Sequence, residues 1–432
     1  MSTDLAKDRR RTISVLHLSV TEGGGAGRAA QRLHGGFLTL GVRSSFLVDR
    51  RVSQDQGIMQ RRFRLFGRRG PQLYAYLDKL PIFLLYGKRG MPWSINWMPR
   101  TTAAAVNRLE PDIVNLHWIG DGFMAPSELP RIRAPLVWTL HDMWPFTGGC
   151  HYDENCGRYR QSCGHCPQLG SKHDHDLSRW VWTQKSRSWR SVPITVVAPS
   201  RWMDNCARRS SLFGAMRIEH IPYGIDADVY RPLDKAEARA QFNLPHDSTL
   251  ILFGAAAIGR DTRKGLQLLP AAIERIAPRL GSCTLVTFGS VAEQELPRFP
   301  IPARHLGAFH SEADLAALYA AADVFVAPSQ QDNLPNTVME ALACGTPCVA
   351  FDIGGMPDMI EHRRNGYLAR PYESDDLAAG IAWVVEDLER WRKLSEHARR
   401  KVEREFTIML QAQRYRALYE ELLEARQKVS PP

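Results

Sequence analysis

The chain has 432 residues, 44% hydrophobic and 24% charged, which is enough for two or three domains, each with its own core. No low-complexity tract or collagen-like period is present, so disorder is excluded as the main state, and no apolar stretch approaches the roughly 18 residues that a bilayer span needs. The net charge of +10 favours anionic partners in general: nucleotide phosphates, acidic lipid or nucleic acid.

In chain order, Lys7, Arg9, Arg10 and Arg11 precede the apolar run Ile13-Ser14-Val15-Leu16-His17-Leu18. That run is short, contains His17 and ends in Thr21-Glu22-Gly23-Gly24-Gly25 rather than at a small-x-small cleavage site, so it reads as a buried first strand and not as a signal peptide. The protein is therefore expected in the cytosol, where thiols stay reduced. From Ile13 onward short β-branched runs alternate with longer amphipathic segments, the pattern of a parallel sheet flanked by helices. Strands are expected at Ser14 to Leu18, Ser45 to Val48, Ile113 to Leu116, Leu136 to Leu140 and Thr195 to Ala198, with a glycine-rich turn leading to a helix from about Ala29.

Between the second and third of these lies a basic and aromatic insertion, about 58–100. Arg61, Arg62, Arg64, Arg68, Arg69, Lys79, Lys88, Arg89 and Arg100 are interleaved there with Phe63, Phe66, Tyr74, Tyr76, Phe83, Tyr86, Trp93 and Trp97. Such a segment suits a membrane surface, or equally a helical insertion packed on its domain. The second half restarts the alternation, with strands at Thr249 to Phe253, Cys283 to Phe288, Val324 to Ala327 and Pro347 to Phe351 and a helix at Glu312 to Ala322. Two doubly wound units are thus predicted, an N-terminal domain over 12–222 and a C-terminal one over 223–404. Their junction is the turn-rich Ile221-Pro222-Tyr223-Gly224-Ile225-Asp226. The tail, 405–428, reads as an amphipathic helix with Ile408, Tyr415, Leu418 and Leu422 on one face.

Four constellations carry candidate chemistry. Gly23, Gly24, Gly25, Gly27 and Arg28 lie between a strand and a helix, where a helix N-terminus can meet an anion. This is not a dinucleotide fingerprint, because no acidic residue closes the second strand in the expected place: Asp49 is followed by Arg50 and Arg51. His141 and Asp142 follow one strand and His117 ends the preceding one, at the carboxyl edge where α/β sheets place ligands. Asp332-Asn333-Leu334-Pro335-Asn336 leads into a helix bearing Glu340, with Pro335 suited to its first turn. Two carboxylates beside a helix N-terminus suit the hydroxyls of a sugar and a ribose. Arg260-Asp261-Thr262-Arg263-Lys264-Gly265 offers cations for a diphosphate.

These constellations, with Asp323-Val324-Phe325-Val326-Ala327-Pro328-Ser329, Glu340-Ala341-Leu342-Ala343-Cys344-Gly345-Thr346-Pro347 and Gly354-Gly355-Met356-Pro357, resemble the family 4 retaining glycosyltransferases over about residues 13–425. His141-Asp142-Met143-Trp144-Pro145-Phe146-Thr147-Gly148-Gly149-Cys150-His151-Tyr152 resembles the bacterial exopolysaccharide branch of that family, of colanic-acid type. The resemblance implies a GT-B fold, two Rossmann-like domains facing across a cleft, with the final helix crossing back to the first. It implies a nucleotide-sugar donor on the second domain, a glycan or lipid-linked acceptor on the first, and no catalytic metal. By the same likeness Glu340 would bind the ribose, Asp332 would touch the donor sugar, Lys264 with an arginine would hold the diphosphate, and His141 would lie beside the reacting sugar. The glycine loop would close near the donor phosphates or the acceptor. The sequence departs from the family in two places. Asp332 stands where the family has Glu, and the usual arginine position before Lys264 is held by Gly259 or Ile258, leaving Arg260 or Arg263 as substitutes.

Cys150, Cys156, Cys163 and Cys166 fall within seventeen residues, and in a reducing compartment that spacing suggests a structural zinc more readily than disulfides. The rival functions are a nucleotide-sugar epimerase on the same fold and a zinc-stabilised nucleic-acid-binding protein. Asp332 and Glu340 argue against the latter, since carboxylates repel phosphate strands, so no nucleic-acid partner is expected. A location at the inner face of the cytoplasmic membrane follows if the basic and aromatic insertion docks there.

Overall fold

The computed structural model describes residues 12–61, 69–88, 92–255, 261–291 and 295–429. The β-branched runs of the first half become β1 (Ser14–Thr21), β2 (Arg43–Arg50), β3 (Ile58–Gln60), β4 (Ile113–Leu116), β5 (Leu136–Thr139), β6 (Ile194–Ala198) and β7 (Arg217–His220). They form one sheet in the order β3-β2-β1-β4-β5-β6-β7, with β1 to β6 paired in parallel. Every residue of β4, β5 and β6 is buried, as in parallel strands covered on both faces, which explains why they read as near-continuous apolar runs.

The second half forms β8 (Thr249–Gly254), β9 (Cys283–Phe288), β10 (Ala303–His305), β11 (Val324–Ala327), β12 (Cys348–Phe351) and β13 (Gly366–Ala369). This sheet is wholly parallel, in the order β10-β9-β8-β11-β12-β13. Its core joins Ile251, Leu285, Val326 and Val349 of the sheet to Ile273, Leu377 and Ile381 of covering helices. Both domains are therefore Rossmann-like, and in each the strand order reverses once, between β1 and β4 and between β8 and β11. In open α/β sheets, loops leaving the carboxyl ends at such a reversal form the ligand site.

Among the described residues, those up to 198, 206–219 and those from 412 onward cluster as one unit, and those within 199–205 and 220–411 as the other. The division differs from the expected one in that Pro199 to Asn205 goes with the second unit, where Ser200 Oγ donates to Asn333 Oδ1 at 2.7 Å and the Arg201 N–H to Asp358 Oδ2 at 2.7 Å. The final helix, Ile408–Val429, gives Tyr415 and Tyr419 to the interior of the first unit. The hydroxyl of Tyr415 lies 2.8 Å from Thr139 Oγ1, and Asn115 Nδ2 donates to the Tyr419 hydroxyl at 2.9 Å.

Two local expectations are corrected. The first helix, α1 (Gly24–Thr39), starts at Gly24 and not near Ala29, so Gly24, Gly25, Gly27 and Arg28 are helical. Gly27 allows this, because a Cβ there would lie 2.3 Å from the Glu22 carbonyl carbon, so only a glycine lets the helix fold back on the strand end. Pro335 is the N-cap of Asn336–Ala343 rather than a residue of its first turn.

Candidate active site

In the second domain the loops following β8 and β11 meet at the strand-order reversal. Lys264 Nζ donates to Asp332 Oδ2 at 2.5 Å, and Ser329 Oγ reaches the same oxygen at 3.3 Å. The Asp332 side chain is nearly buried, while that of Lys264 keeps 23% exposure. The loop is clamped by glycines whose backbones press on it. A Cβ on Gly265 would fall 1.8 Å from the Pro328 oxygen, one on Gly354 1.9 Å from the Asp332 oxygen, and one on Gly355 1.7 Å from the Asn333 oxygen. Gly265 and Gly354 also have φ of +75° and +53°, where a side chain adds strain. Asn333 and Leu334 are buried in the same loop.

Glu340 is buried on the helix Asn336–Ala343, and the Tyr319 hydroxyl donates to its Oε2 at 2.9 Å. Burial, followed by the Glu340 charge, pushes the Tyr319 phenol well above its ordinary pKa, so Tyr319 stays a donor. Asp332 and Glu340 thus have separate partners, a cation for one and a hydroxyl for the other. Arg263 Nη2 is held by Asp261 Oδ2 at 2.6 Å; Arg260 lies outside the described residues. The sequence separated Lys264 and Asp332 by 68 positions, and the fold brings them into contact.

In the first domain His117 Nδ1 lies 2.9 Å from His141 Nε2, so the two histidines are joined. Burial draws the His141 imidazole down to about 4 against the opposing pull of Asp142. Asp142 itself anchors the loop. Its Oδ1 accepts the Trp144 N–H at 2.9 Å and its Oδ2 meets His151 Nδ1 at 2.5 Å and Trp118 Nε1 at 2.8 Å. Burial favours the neutral acid here, but His151 and these donors prevail and hold the Asp142 carboxyl below the usual range. The sequence passed over His17, which is buried in β1 with Nδ1 2.8 Å from His117 Nε2. A polar residue in the middle of an otherwise apolar strand was the available signal. At the end of β1, Glu22 Oε1 accepts the N–H groups of Val52 and Ser53 at 2.5 and 2.6 Å, tying the glycine turn to the loop after β2.

Two other sequence expectations fare differently. Among the described residues no group of three or more His, Cys, Asp or Glu is arranged to hold a metal ion. Of the four clustered cysteines, Cys150 and Cys166 pack with Ile82, Trp93, Leu169 and Val181, as small apolar residues do. Burial raises all four thiol pKa values, with Cys163 at about 12 and Cys166 at about 11. In the basic insertion, Arg61 and Arg100 turn inward to Asp49, at 2.5 and 2.9 Å, rather than toward a surface. Arg62, Arg64, Arg68, Arg89, Phe63 and Phe66 lie outside the described residues. The helix α2 (Gly70–Tyr86) does expose Tyr76, Leu84 and Leu85. No described helix is long and apolar enough to cross a membrane.

Residues 23–229 match the family model described as Glycosyltransferase Family 4, and residues 249–387 match the model described as Glycosyl transferases group 1. Among curated proteins, the chain is 32% identical over 183 residues to a D-inositol 3-phosphate glycosyltransferase of Mycobacteroides abscessus, covering 39% of each chain. It is 30% identical over 232 residues to the protein of the same name from Thermobispora bispora, covering 50% of this chain and 53% of that one. The matches span about two fifths to half of those relatives' length. Among solved structures, sucrose-phosphate synthase from Thermosynechococcus elongatus superposes with a TM-score of 0.69 at 18% identity, covering 95% of this chain and 100% of that one. Anabaena HepE in complex with UDP and glucose superposes with a TM-score of 0.62 at 18% identity, covering 94% and 99%. These likenesses, with the two Rossmann-like sheets, identify the architecture as the two-domain GT-B fold.

Proposed function

We propose that the chain moves a sugar, with retention, from a nucleotide-sugar donor to a hydroxyl group, a reading supported by its match to a glycosyltransferase family 4 model followed by a match to a glycosyl transferases group 1 model. The observation that carries this is the second-domain loop pair, with Lys264 on Asp332 and Glu340 on Tyr319 at the carboxyl end of a strand-order reversal. Departure of the nucleoside diphosphate places negative charge on its oxygens, and Lys264 with the N–H groups leading the helix Asn336–Ala343 is suited to stabilise that charge as it develops. The acceptor oxygen bonds to the sugar carbon on the face that the diphosphate leaves, and its proton passes to the departing phosphate oxygen. Retention then needs neither a protein nucleophile nor a metal. His141 stands beside the reacting sugar in this scheme, and Asp332 and Glu340 take hydroxyls of the sugar and the ribose.

For the acceptor we propose a glycan or lipid-linked oligosaccharide in exopolysaccharide or cell-surface polysaccharide synthesis. The exposed apolar side chains of α2, Tyr76, Leu84 and Leu85, support this, since they suit a first domain working against a membrane. The curated relatives are named for inositol 3-phosphate, so that compound is the competing acceptor. Thermal-shift screening against UDP-, GDP-, ADP- and CDP-sugars tests the donor half. Selective stabilisation by one of them, lost in Glu340→Ala and Lys264→Ala, is expected; no response to any overturns the proposal. Transfer assays with the selected donor, in EDTA, then compare the acceptors, and conversion of donor with no acceptor present indicates an epimerase instead.

A further inference from the structure

In the second domain a cavity of about 450 Å³ opens between the turn leading into β13 and two helices, Ser374–Val385 and Leu388–Glu405. Arg363 and Arg364 line it from the turn and Trp383 from the end of the first helix. Arg390, Lys393 and His397, spaced by three and four, line it from one face of the second helix. β13 pairs in parallel with β12, and Arg363 and Arg364 precede it, so the cavity lies at the amino edge of the second sheet. Lys264, Asp332 and Glu340 follow β8 and β11 at the carboxyl edge. The cavity is therefore distinct from the donor loops.

Two carboxylates also line the cavity, and both are engaged. Asp387 Oδ1 accepts the Arg390 N–H at 2.9 Å as the cap of its helix, and Glu389 Oε1 holds Lys393 Nζ at 2.7 Å. Arg364 Nη1 pairs with Glu361 Oε2 at 2.9 Å. His397 Nδ1 lies 3.1 Å from the Arg364 carbonyl oxygen, which only accepts, so that nitrogen carries a proton. Among the described residues Arg363 and Arg390 enter no ion pair. Their guanidinium carbons lie instead 5.6 and 4.6 Å from the centre of the Trp383 ring, and Arg363 is also 5.9 Å from that of Tyr367. Asp387 acts on Arg390 only at longer range, and Arg390 Nε is buried without a hydrogen-bond acceptor. Two guanidinium groups gathered at one indole repel each other, and the ring offsets this only in part.

We propose that this cavity binds a small phosphorylated molecule, with Arg363 and Arg390 donating to its phosphate oxygens and Arg364 and Lys393 adding positive charge. A guanidinium presents a planar fork of N–H groups that matches phosphate geometry, and an anion between the two arginines relieves their repulsion. The volume falls in the range of small-molecule sites, and cations on both of its walls suit one compact anion rather than a polymer that needs a track of charge. Arg363 has φ of +61°, where glycine or asparagine forms a turn with less strain, so the turn by itself does not call for an arginine. The site is independent of the transferase reading, since none of its residues belongs to the donor loops.

The test is isothermal titration calorimetry of the full chain with inorganic pyrophosphate at physiological ionic strength, where diffuse charge attraction is screened. All chains carry Lys264→Ala, which weakens any contribution from the donor loops. Saturable binding that falls at least about tenfold when Arg363→Gln and Arg390→Gln are added, the worth of one charge-assisted hydrogen bond, is the expected result. No saturable binding at millimolar pyrophosphate, or equal binding with and without the two arginines, overturns the proposal. Should the combined variant fail to fold, Lys393→Glu, at an exposed position of the same wall, gives the same readout. Repeating the titration with phosphatidic acid vesicles present separates the two sources of such a phosphate. Competition by the vesicles assigns the site to a lipid headgroup, and undiminished pyrophosphate binding assigns it to a soluble ester.

Discussion

Lys264 Nζ and Asp332 Oδ2 stand 2.5 Å apart, so the cation suited to a diphosphate and the carboxylate suited to a sugar hydroxyl are partners before any donor arrives. The pair keeps both groups at the strand-order reversal and gives Asp332 a counter-charge in a nearly buried place. Lys264→Ala removes a preorganised positive charge and is expected to cost transfer about 2 to 4 kcal/mol in the transition state. Single-turnover rates at saturating donor measure this, and unchanged turnover would remove Lys264 from the reaction.

Glu340 and Tyr319 give a prediction that separates stability from binding. Glu340→Gln retains a carbonyl oxygen for the Tyr319 hydroxyl, whereas Glu340→Ala leaves that buried donor unmet at a cost of about 1 to 3 kcal/mol. Denaturant unfolding should therefore rank the parent chain and Glu340→Gln well above Glu340→Ala. Calorimetry should find both variants impaired in nucleotide-sugar binding.

Gly265 is expected to tolerate no side chain. Its left-handed backbone and the 1.8 Å approach of a Cβ to the Pro328 oxygen make Gly265→Ala destabilising by more than about 1 kcal/mol. Gly87 shares the left-handed backbone (φ 63°, ψ 10°, against 75° and 20° at Gly265) but has nothing within 4 Å of a Cβ, so Gly87→Ala should lose less, and comparing their melting temperatures isolates the clash.

Lys185 is fully buried, with Nζ bonded to the Trp144 and Thr147 carbonyls and 3.8 Å from the Trp144 ring centroid. Burial draws its pKa from 10.5 down to about 7, against the pull of Cys150, Cys163 and Asp142. Between these values the unfolded chain binds the proton that the folded chain does not, so this residue's contribution to stability grows as pH rises from about 7 toward 10.5 and is lost as pH falls back. Unfolding free energies at pH 7 and 9 should rise more steeply for the parent chain than for Lys185→Met; equal slopes would contradict the assignment.

For the α2 surface, Leu84→Glu with Leu85→Glu should reduce co-sedimentation with anionic phospholipid vesicles while leaving the melting temperature near that of the parent, because both side chains are exposed. Equal sedimentation of parent and variant would leave this face without a membrane role.

What the sequence made legible follows from where each signal resides. Ile113–Leu116, Cys283–Phe288 and Val324–Ala327 match their expected bounds because a strand buried on both faces is a largely apolar, β-branched run. The short β3, β7, β10 and β13 were missed; β7 is the half-exposed Arg-Ile-Glu-His and β10 the exposed Ala-Arg-His, so neither shows that run. The start of α1 was misplaced because glycines that read as a loop are here required by close backbone approach. The motifs named Lys264, Asp332, Glu340 and His141, but Tyr319, which meets Glu340, and His17, which meets His117 beside His141, come from other elements, and only the folded register pairs them. The cysteine spacing says nothing of side-chain direction, and only the fold shows two of those residues, Cys150 and Cys166, in an apolar cluster.

Tyr415 and Tyr419 fill the interior of a domain whose sheet begins at Ser14, and their hydroxyls meet Thr139 and Asn115. That sheet is therefore incomplete while the chain is being synthesised: its strands emerge from the ribosome nearly two hundred residues before the side chains that close them. The second domain, almost continuous in sequence, can finish folding first. A fragment stopping near residue 222 would carry open space where two tyrosines belong, and separating the domains for study calls for a permuted chain rather than a single cut.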